Sequence, residues 1–509
     1  MQDCSDVKHD LYEKYYKITG LWWVKIDNML SPLRQYLMKK RREEDLLCIH
    51  NWFERFLASD YVKITCDTNS YLKNPNARTL KRLICDYLSI FDFVNAFYYM
   101  DEYIQKRFWN YKRYIKMKQD LKSFIKWIKK SLKDREDILL FWIDCTSYEE
   151  FEWFPELMKR AEKSYFFEHA YPPTPTTTPV MMAINNKWLN IDDFSKYFKL
   201  RSSGFFDFHS SLLLQKIRKY GYDFAYFTPK SMTYPVYVES LLHRPTQHKY
   251  VSSNRLFFDA INQMMRTDKK QFMIIHCLAE THFPFWYPAK NGKMLYNVPP
   301  LKPPSSDELK QVCGASQYLD KQLAFYSDLL GDGTSRIYMS DHGKLYYQEE
   351  QYKRWGNKLN HTLFFIQSKY VPIEREKRIF TLYNFLELAD ALLRAHKSNS
   401  MADFEPVFDK DYIKVQSIEI YGKNVIDMYK DINYLESARP YRGIRTLEDY
   451  YLRFRNSELY YRNGDEETNL IDDPKYASRI AELRELAGTY FLDIEKKEKF
   501  KHARIFLDL

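Results

Sequence analysis

The pattern of apolar and polar positions changes twice along the chain. Up to about residue 135, apolar residues recur at helical spacing among Lys, Arg and Glu, in Leu21-Trp22-Trp23, Ile49 to Leu57, Leu80 to Tyr99 and Tyr111 to Leu132. Glycine is almost absent there: after Gly20 the next is Gly204. This predicts an N-terminal helical region over residues 1–135. From Asp137 the texture differs. Ile138-Leu139-Leu140-Phe141-Trp142-Ile143 is a short unbroken apolar run, as expected of a parallel strand buried on both faces. Similar runs occupy Phe272 to Ile275, Ile337 to Met339 and Thr362 to Gln367, with helical patterns at Pro155 to Lys163, Leu212 to Tyr220 and Gln317 to Leu330. Strands alternating with helices predict an α/β core over 136–402, a mostly parallel central sheet sandwiched by helices. From Asp403 onward, a strand-like alternation at Tyr412 to Tyr421, a second at Arg445 to Phe454 and a helix at Pro474 to Gly488 predict a small α+β subdomain over 403–509.

Composition narrows the class. With 45% hydrophobic and 29% charged residues the 509-residue chain is globular, long enough for two or three domains. Its 43 Tyr and 35 Phe serve packing first, and secondarily offer platforms for a sugar, lipid or base. A net charge of +10 suits an anionic partner: a small anion, or a glycan- or lipid-linked substrate. Basic residues are interspersed with acids and no nucleic-acid motif occurs, so nucleic acid is not the expected partner. The seven cysteines are scattered without a C-x-x-C pair, which fits a reducing compartment. Met1 to Asp10 is polar and acidic, unlike a secretory leader, and the apolar stretches are short for a bilayer. A cytoplasmic location follows as the expectation. The basic, aromatic run Arg107 to Lys133 reads either as a solvated helix face opposite a core face or as a peripheral membrane contact.

Chemistry gathers at the carboxyl ends of the expected strands. Asp144 follows the first; His276, Glu280 and His282 follow the second; Asp341-His342-Gly343 follows the third. In open α/β sheets that edge binds ligands. Two carboxylates and an imidazole make a mixed oxygen and nitrogen set for one divalent cation, Mn²⁺, Zn²⁺, Ca²⁺ or Mg²⁺. Singly, each residue has a plainer use: Asp after a strand caps or turns, Asp-His-Gly is a turn, and His276 is a satisfied buried histidine. The Pro- and Thr-rich segment Tyr171 to Pro179 is either a rigid solvent-facing turn or the carrier of a nucleophilic threonine beside a metal.

The order of these motifs resembles the sulfatase-like branch of the alkaline phosphatase superfamily, with its sulfatases, phosphodiesterases and phosphoethanolamine- and phosphoglycerol-transferases. A hydrophobic strand ends in Asp144; Phe166 to Tyr171 leads into the threonines; Lys219-Tyr-Gly-Tyr222 resembles the family's Gly-Tyr strand entry. Thr281-His-Phe-Pro284 is similar to its substrate-site His-x-Pro and Ser340-Asp-His-Gly343 to its second metal pair, while Glu458 to Pro474 resembles its C-terminal subdomain. The likeness implies Asp144, Asp341 and His342 as metal ligands, and Thr177, flanked by Thr176 and Thr178, as nucleophile. It further implies His282 as a catalytic histidine, and His361 and Lys230 as substrate-binding groups. Departures are informative. Thr177-Thr-Pro-Val-Met181 lacks the Cys or Ser and the Arg that formylglycine chemistry needs, and Cys145 stands where the family often has a second Asp. The resemblance thus implies a phosphoester hydrolase or transferase acting through a covalent threonine intermediate. The alternatives are sulfate-ester hydrolysis without formylglycine, or a degenerate member that only binds a glycan or partner.

Overall fold

A computed structural model describes residues 11–21, 59–175, 177–187, 212–228, 252–282, 285, 287–288, 306–344, 356–408, 410–417, 441–454 and 457–488. Its centre is a seven-stranded sheet. In chain order the strands are β1 (Ile138–Ile143), β2 (Tyr165–Tyr171), β3 (Asp223–Phe227), β4 (Gln271–Cys277), β5 (Ser335–Met339), β6 (Phe364–Gln367) and β7 (Glu374–Thr381), arranged β3-β4-β1-β5-β6-β2-β7. All pairings are parallel except those of β6, which runs antiparallel to both β5 and β2. The apolar run Thr362 to Gln367 announced burial correctly but not direction.

Alternation along β1 explains why the chain needs two helical layers. Leu139, Phe141 and Ile143 face one core and Ile138, Leu140 and Trp142 the other. The first face is covered by the helix at Ser253–Arg266, whose Phe257 meets Phe141 at 5.8 Å, and the helices of the N-terminal region pack outside it: α1 (Leu11–Thr19), α3 (Ala77–Ser89), α4 (Phe93–Gln105) and α5 (Tyr111–Leu132) all place residues in the same cluster, as does α2 (Ser59–Lys73) through Tyr61 and Ile64. The helix expected over Leu80 to Tyr99 is two helices. Phe91 turns the chain at a φ of 60°, and the Asp92 side chain then accepts from Asn95 N–H at 2.9 Å to start the next. In α5, Tyr114, Met117, Leu121, Phe124, Ile128 and Leu132 are buried at spacings of three and four, so its apolar side is core and its lysines form the outer side. Leu21's neighbours Trp22 and Trp23, and the expected helix at Ile49 to Leu57, lie outside the described residues.

After β1 come α6 (Pro155–Ala161), α7 (Thr177–Asn186), α8 (Leu212–Lys219), α9 (Ser253–Arg266) and α10 (Ser306–Ser327). The second face is covered by α7, α8 and a long helix at Phe385–Ser398, through Val180, Met181, Leu213, Ile217, Leu388 and Leu392. Beyond it, β8 (Ile413–Ser417), β9 (Tyr441–Arg445), β10 (Asp449–Arg453) and β11 (Glu458–Arg462) form an antiparallel sheet, with a helix at Ala477–Ala487 on one face. The strand expected at Arg445 to Phe454 is a hairpin, turned where Thr446 N–H donates to Asp449 O at 2.8 Å. The other face of this sheet packs through Val415, Tyr450 and Leu452 onto Tyr171 and Ile379 of the core. Among the described residues no helix is long and apolar enough to cross a membrane.

Candidate metal and nucleophile site

Parallel register brings the polar groups to one edge. Trp142 pairs with His276 on one side and with Met339 on the other, so residue 144, the turn after Cys277 and residues 340–342 emerge together. The loop Ser340 to Lys344 is fastened onto the turn after β1. Ser340 Oγ accepts from Thr146 N–H (2.9 Å) and donates to His342 O (3.0 Å), while Lys344 donates to Glu150 at 2.7 Å in a fully buried ion pair. Neither half of that pair carried a sequence signal, since a single Lys and a single Glu nearly 200 residues apart show no pattern.

Asp144, Asp341 and His342 meet. One ligand atom from each lies within 4.8 Å of the others, and all three residues are buried. His342 Nδ1–H donates to Gly343 O at 2.7 Å, which leaves Nε2 with its lone pair available. Nε2 lies 3.4 Å from Asp341 Oδ2 and 3.0 Å from Thr177 Oγ1. Asp341 Oδ1 is occupied, accepting from Cys145 N–H (3.1 Å) and His342 N–H (3.0 Å). Asp144 Oδ2 lies 2.6 Å from His276 Nε2, whose Nδ1 takes the Tyr226 hydroxyl at 3.0 Å; His276 is thus a hydrogen-bonded positioning partner of Asp144.

Two oxygens remain, Asp144 Oδ1 and Asp341 Oδ2, fully buried and meeting no hydrogen-bond partner among the described residues. A buried carboxylate oxygen left that way costs about 1–3 kcal/mol, so both fit a cation. The electrostatics agree. Burial raises the Asp341 carboxyl and the charge of Asp144 raises it further. Burial opposes ionisation of Asp144 too, but His276, His282 and His342 together hold it below the usual carboxylate range. The spacing also fits. In a tetrahedral Zn²⁺ site with ordinary bond lengths, N and O ligands stand about 3.4 Å apart, the separation found between His342 and Asp341.

The other expected residues divide. Thr177 begins α7, as a threonine at a helix start should, and faces the cluster. The segment before it is not a solvent-facing turn: Tyr171 to Pro175 is buried, and Pro173 O accepts from Gln416 N–H at 3.0 Å. His282, half-buried, forms a second group of ligand atoms with Asp144 and Cys145 within 4.8 Å. His361 is stacked between Tyr148 (4.2 Å, 9°) and Tyr171 (5.0 Å, 22°), with Nε2–H donating to Glu168 O at 2.8 Å. Burial, reinforced by the nearby Arg445 charge, holds its pKa down to about 4, so it is a neutral ring at pH 7. Lys230, Thr176 and the Thr178 side chain lie outside the described residues. His276, buried with both ring nitrogens hydrogen-bonded, is the satisfied histidine expected of it, while Cys145, whose thiol lies against His342, had no assigned role.

The family model described as Sulfatase matches residues 143–393. Solved structures similar to the chain include a 2-O GAG sulfatase, at 14% identity over 72% of this chain and 94% of that one (TM-score 0.49). Another is bound to its substrate D-glucosamine-2-N,6-O-disulfate, at 13% identity over 72% and 98% (TM-score 0.45). A third is the phosphonate monoester hydrolase of Agrobacterium radiobacter, at 13% over 68% and 94% (TM-score 0.43). No curated protein matches. The matched segment, just under half of the chain, runs from the end of β1 into the helix after β7 and holds the Asp144, Asp341 and His342 cluster, and over that segment the chain is similar to the sulfatase family.

Proposed function

We propose that the chain is a metal-dependent hydrolase or transferase of phosphate-type esters, with Thr177 as the nucleophile. Members of the sulfatase family that residues 143–393 match are hydrolases; the phosphoester substrate and the threonine are the finer reading. The observation that carries it is the 3.0 Å separation between Thr177 Oγ1 and His342 Nε2, beside two buried carboxylate oxygens without partners.

Asp144, Asp341 and His342 would hold the ion. When bound, a divalent cation supplies Lewis-acid charge for the ester oxygens and lowers the cost of an alkoxide. His342 offers a single lone pair at Nε2, which can serve the ion or receive the Thr177 proton; the two partnerless carboxylate oxygens favour the ion. With its hydroxyl proton lost to solvent, Thr177 Oγ would then attack phosphorus in line with the leaving group, whose oxygen departs with the P–O bonding pair, forming a phosphothreonine ester. It does so from the first residue of α7, where the helix dipole adds positive potential for an anionic substrate. His282, by its place beside Asp144, is the group to protonate the leaving oxygen. Water or an acceptor alcohol would release the enzyme, giving hydrolysis or transfer. A glycan- or lipid-linked phosphate suits the net charge of +10.

Sulfate-ester hydrolysis stays as a second reading because the family model is that of sulfatases, although the Thr176-Thr177-Thr178 stretch offers no Cys or Ser for conversion to formylglycine. A parallel panel of phosphate and sulfate esters with wild type and Thr177→Ala separates the readings. Phosphatase turnover that falls on the order of 10³-fold in Thr177→Ala, with a labelled phosphothreonine trapped by acid quench in wild type, is the expected result. Full activity in Thr177→Ala would remove the threonine from the mechanism.

A further inference from the structure

The basic, aromatic run around α5 has no part in the reading above. Of the chain's 78 Lys and Arg, eleven lie in residues 106–133, against one of its 68 Asp and Glu, Asp120. The remaining 67 of each sign cancel, so the whole net charge of +10 resides in this one segment, α5 and the turn leading into it. Along α5, Lys112, Lys116, Lys122, Lys126, Lys129 and Lys130 are exposed, outside the buried stripe of Tyr114, Leu121, Phe124 and Ile128. None of the six forms an ion pair among the described residues, whereas Lys106 and Lys118 are paired with Glu102 and Asp101. Before the helix, the Trp109 side chain is 85% exposed. Its turn is fixed by the Tyr103 hydroxyl, which donates to Trp109 O at 2.8 Å.

We propose that the lysine face of α5, with Trp109, is a docking surface for a membrane that carries acidic phospholipids. A merely solvated face does not call for this sequence. Like charges one turn apart, as in Lys112 with Lys116 and Lys122 with Lys126, destabilise a helix, and Lys112 in the first turn opposes its dipole. Interspersed glutamates would relieve both, and α5 contains none. From Lys112 to Lys130 the row is about 27 Å long, which fits a continuous anionic surface better than one small anion. The apolar side of α5 is committed to the core, so the helix does not insert. Attraction is electrostatic, through lysines that meet the headgroup phosphates, and the Trp109 indole anchors at headgroup level. Nucleic acid fits less well. Nine of the eleven cations are lysines, which lack the planar fork that reads phosphate and base, and Trp109 is the one exposed aromatic ring of the segment, where base stacking uses several. The surface is independent of the ester chemistry, and its test needs no turnover.

The test is flotation of the full chain with vesicles of phosphatidylcholine alone or with about 30% phosphatidylglycerol, at about 0.05 M and about 0.5 M salt. Wild type should float with the acidic vesicles at low salt, stay behind with the neutral ones, and lose binding at high salt. Each lysine at such a surface contributes about a fivefold factor, so Lys116→Gln with Lys126→Gln should weaken partition roughly 25-fold. Gln is as good a helix former as Lys, so that variant keeps α5. Lys377→Gln with Lys397→Gln, at exposed lysines outside the segment, removes the same charge and should partition like wild type. Trp109→Ala should partition more weakly than wild type. No binding to acidic vesicles at low salt, or equal losses in the two lysine pairs, would overturn the proposal. A labelled single-stranded RNA that binds wild type and displaces the acidic vesicles would overturn it in favour of nucleic acid.

Discussion

Asp259 offers a quantitative test of how the N-terminal helices are joined to the α/β core. It sits on α9, behind β4, and accepts a hydrogen bond from the Tyr12 hydroxyl of α1, while the Tyr12 ring meets Phe258 edge-on at 5.0 Å. Burial pushes its carboxyl up from an ordinary value of 3.8 to about 6, against the opposing Arg255 charge and the Tyr12 hydrogen bond. The folded state therefore keeps the proton to higher pH than the unfolded state does. The stabilisation is fully present below about pH 4 and is lost as pH rises through about 6. A separation of about 2 pH units corresponds to about 3 kcal/mol. Asp259→Asn keeps an oxygen for Tyr12 and removes the titration. Urea unfolding of wild type and variant from pH 3.5 to 7.5 should give a stability difference that moves by about 3 kcal/mol in favour of the variant, mostly between pH 4 and 6. A difference that stays constant across that window would refute the buried environment assigned to Asp259, and with it the docking of α1 on α9.

Two other substitutions probe the supports of the site. Lys344→Ala leaves Glu150 buried without its cation and should cost about 3–5 kcal/mol, whereas Lys344→Met with Glu150→Leu should recover most of that in the same unfolding assay; equal losses would mean the pair is not coupled. Tyr61→Phe removes the 2.6 Å hydrogen bond from α2 to Glu280, a buried carboxylate that also accepts from Ser253 N–H (3.1 Å) and Ser253 Oγ (2.5 Å). It should lower stability by about 1–3 kcal/mol. Because Glu280 is two residues before His282, it should also lower ester turnover; unchanged stability and turnover would detach the N-terminal helices from that loop.

The chain wrote some of this plainly. Six consecutive apolar residues made β1 visible because both of its faces are buried, and spacings of three and four made α5 visible because only one side is. Asp144 and Asp341-His342 stood out because strand ends collect ligands in open sheets. What was hidden depends on partners distant in sequence. β7 reads Glu-Arg-Glu-Lys-Arg-Ile-Phe-Thr because it is the edge of the sheet, with four of its first five residues exposed, so it lacks an apolar signature. β2, with Glu168 and His169 half-buried in its middle, was recognised as a motif and not as a strand. That the N-terminal helices form an outer layer on α9 and α10 follows from aromatic contacts such as Phe91 with Phe258 and Phe93 with Phe325, a fact of tertiary packing. The Cys145 thiol was placed by a left-handed turn that its residue type does not announce.

The central claim is that Asp144, Asp341 and His342 bind a divalent cation. Metal content of the purified chain, measured for wild type beside Asp341→Asn after incubation with Mn²⁺, Zn²⁺ and Ca²⁺ and removal of the excess, tests it most directly. The account predicts about one ion per chain in wild type and its loss in the variant, which keeps the Oδ1 acceptor for Cys145 and His342 but replaces the partnerless Oδ2. Wild type that takes up none of the three ions would contradict it.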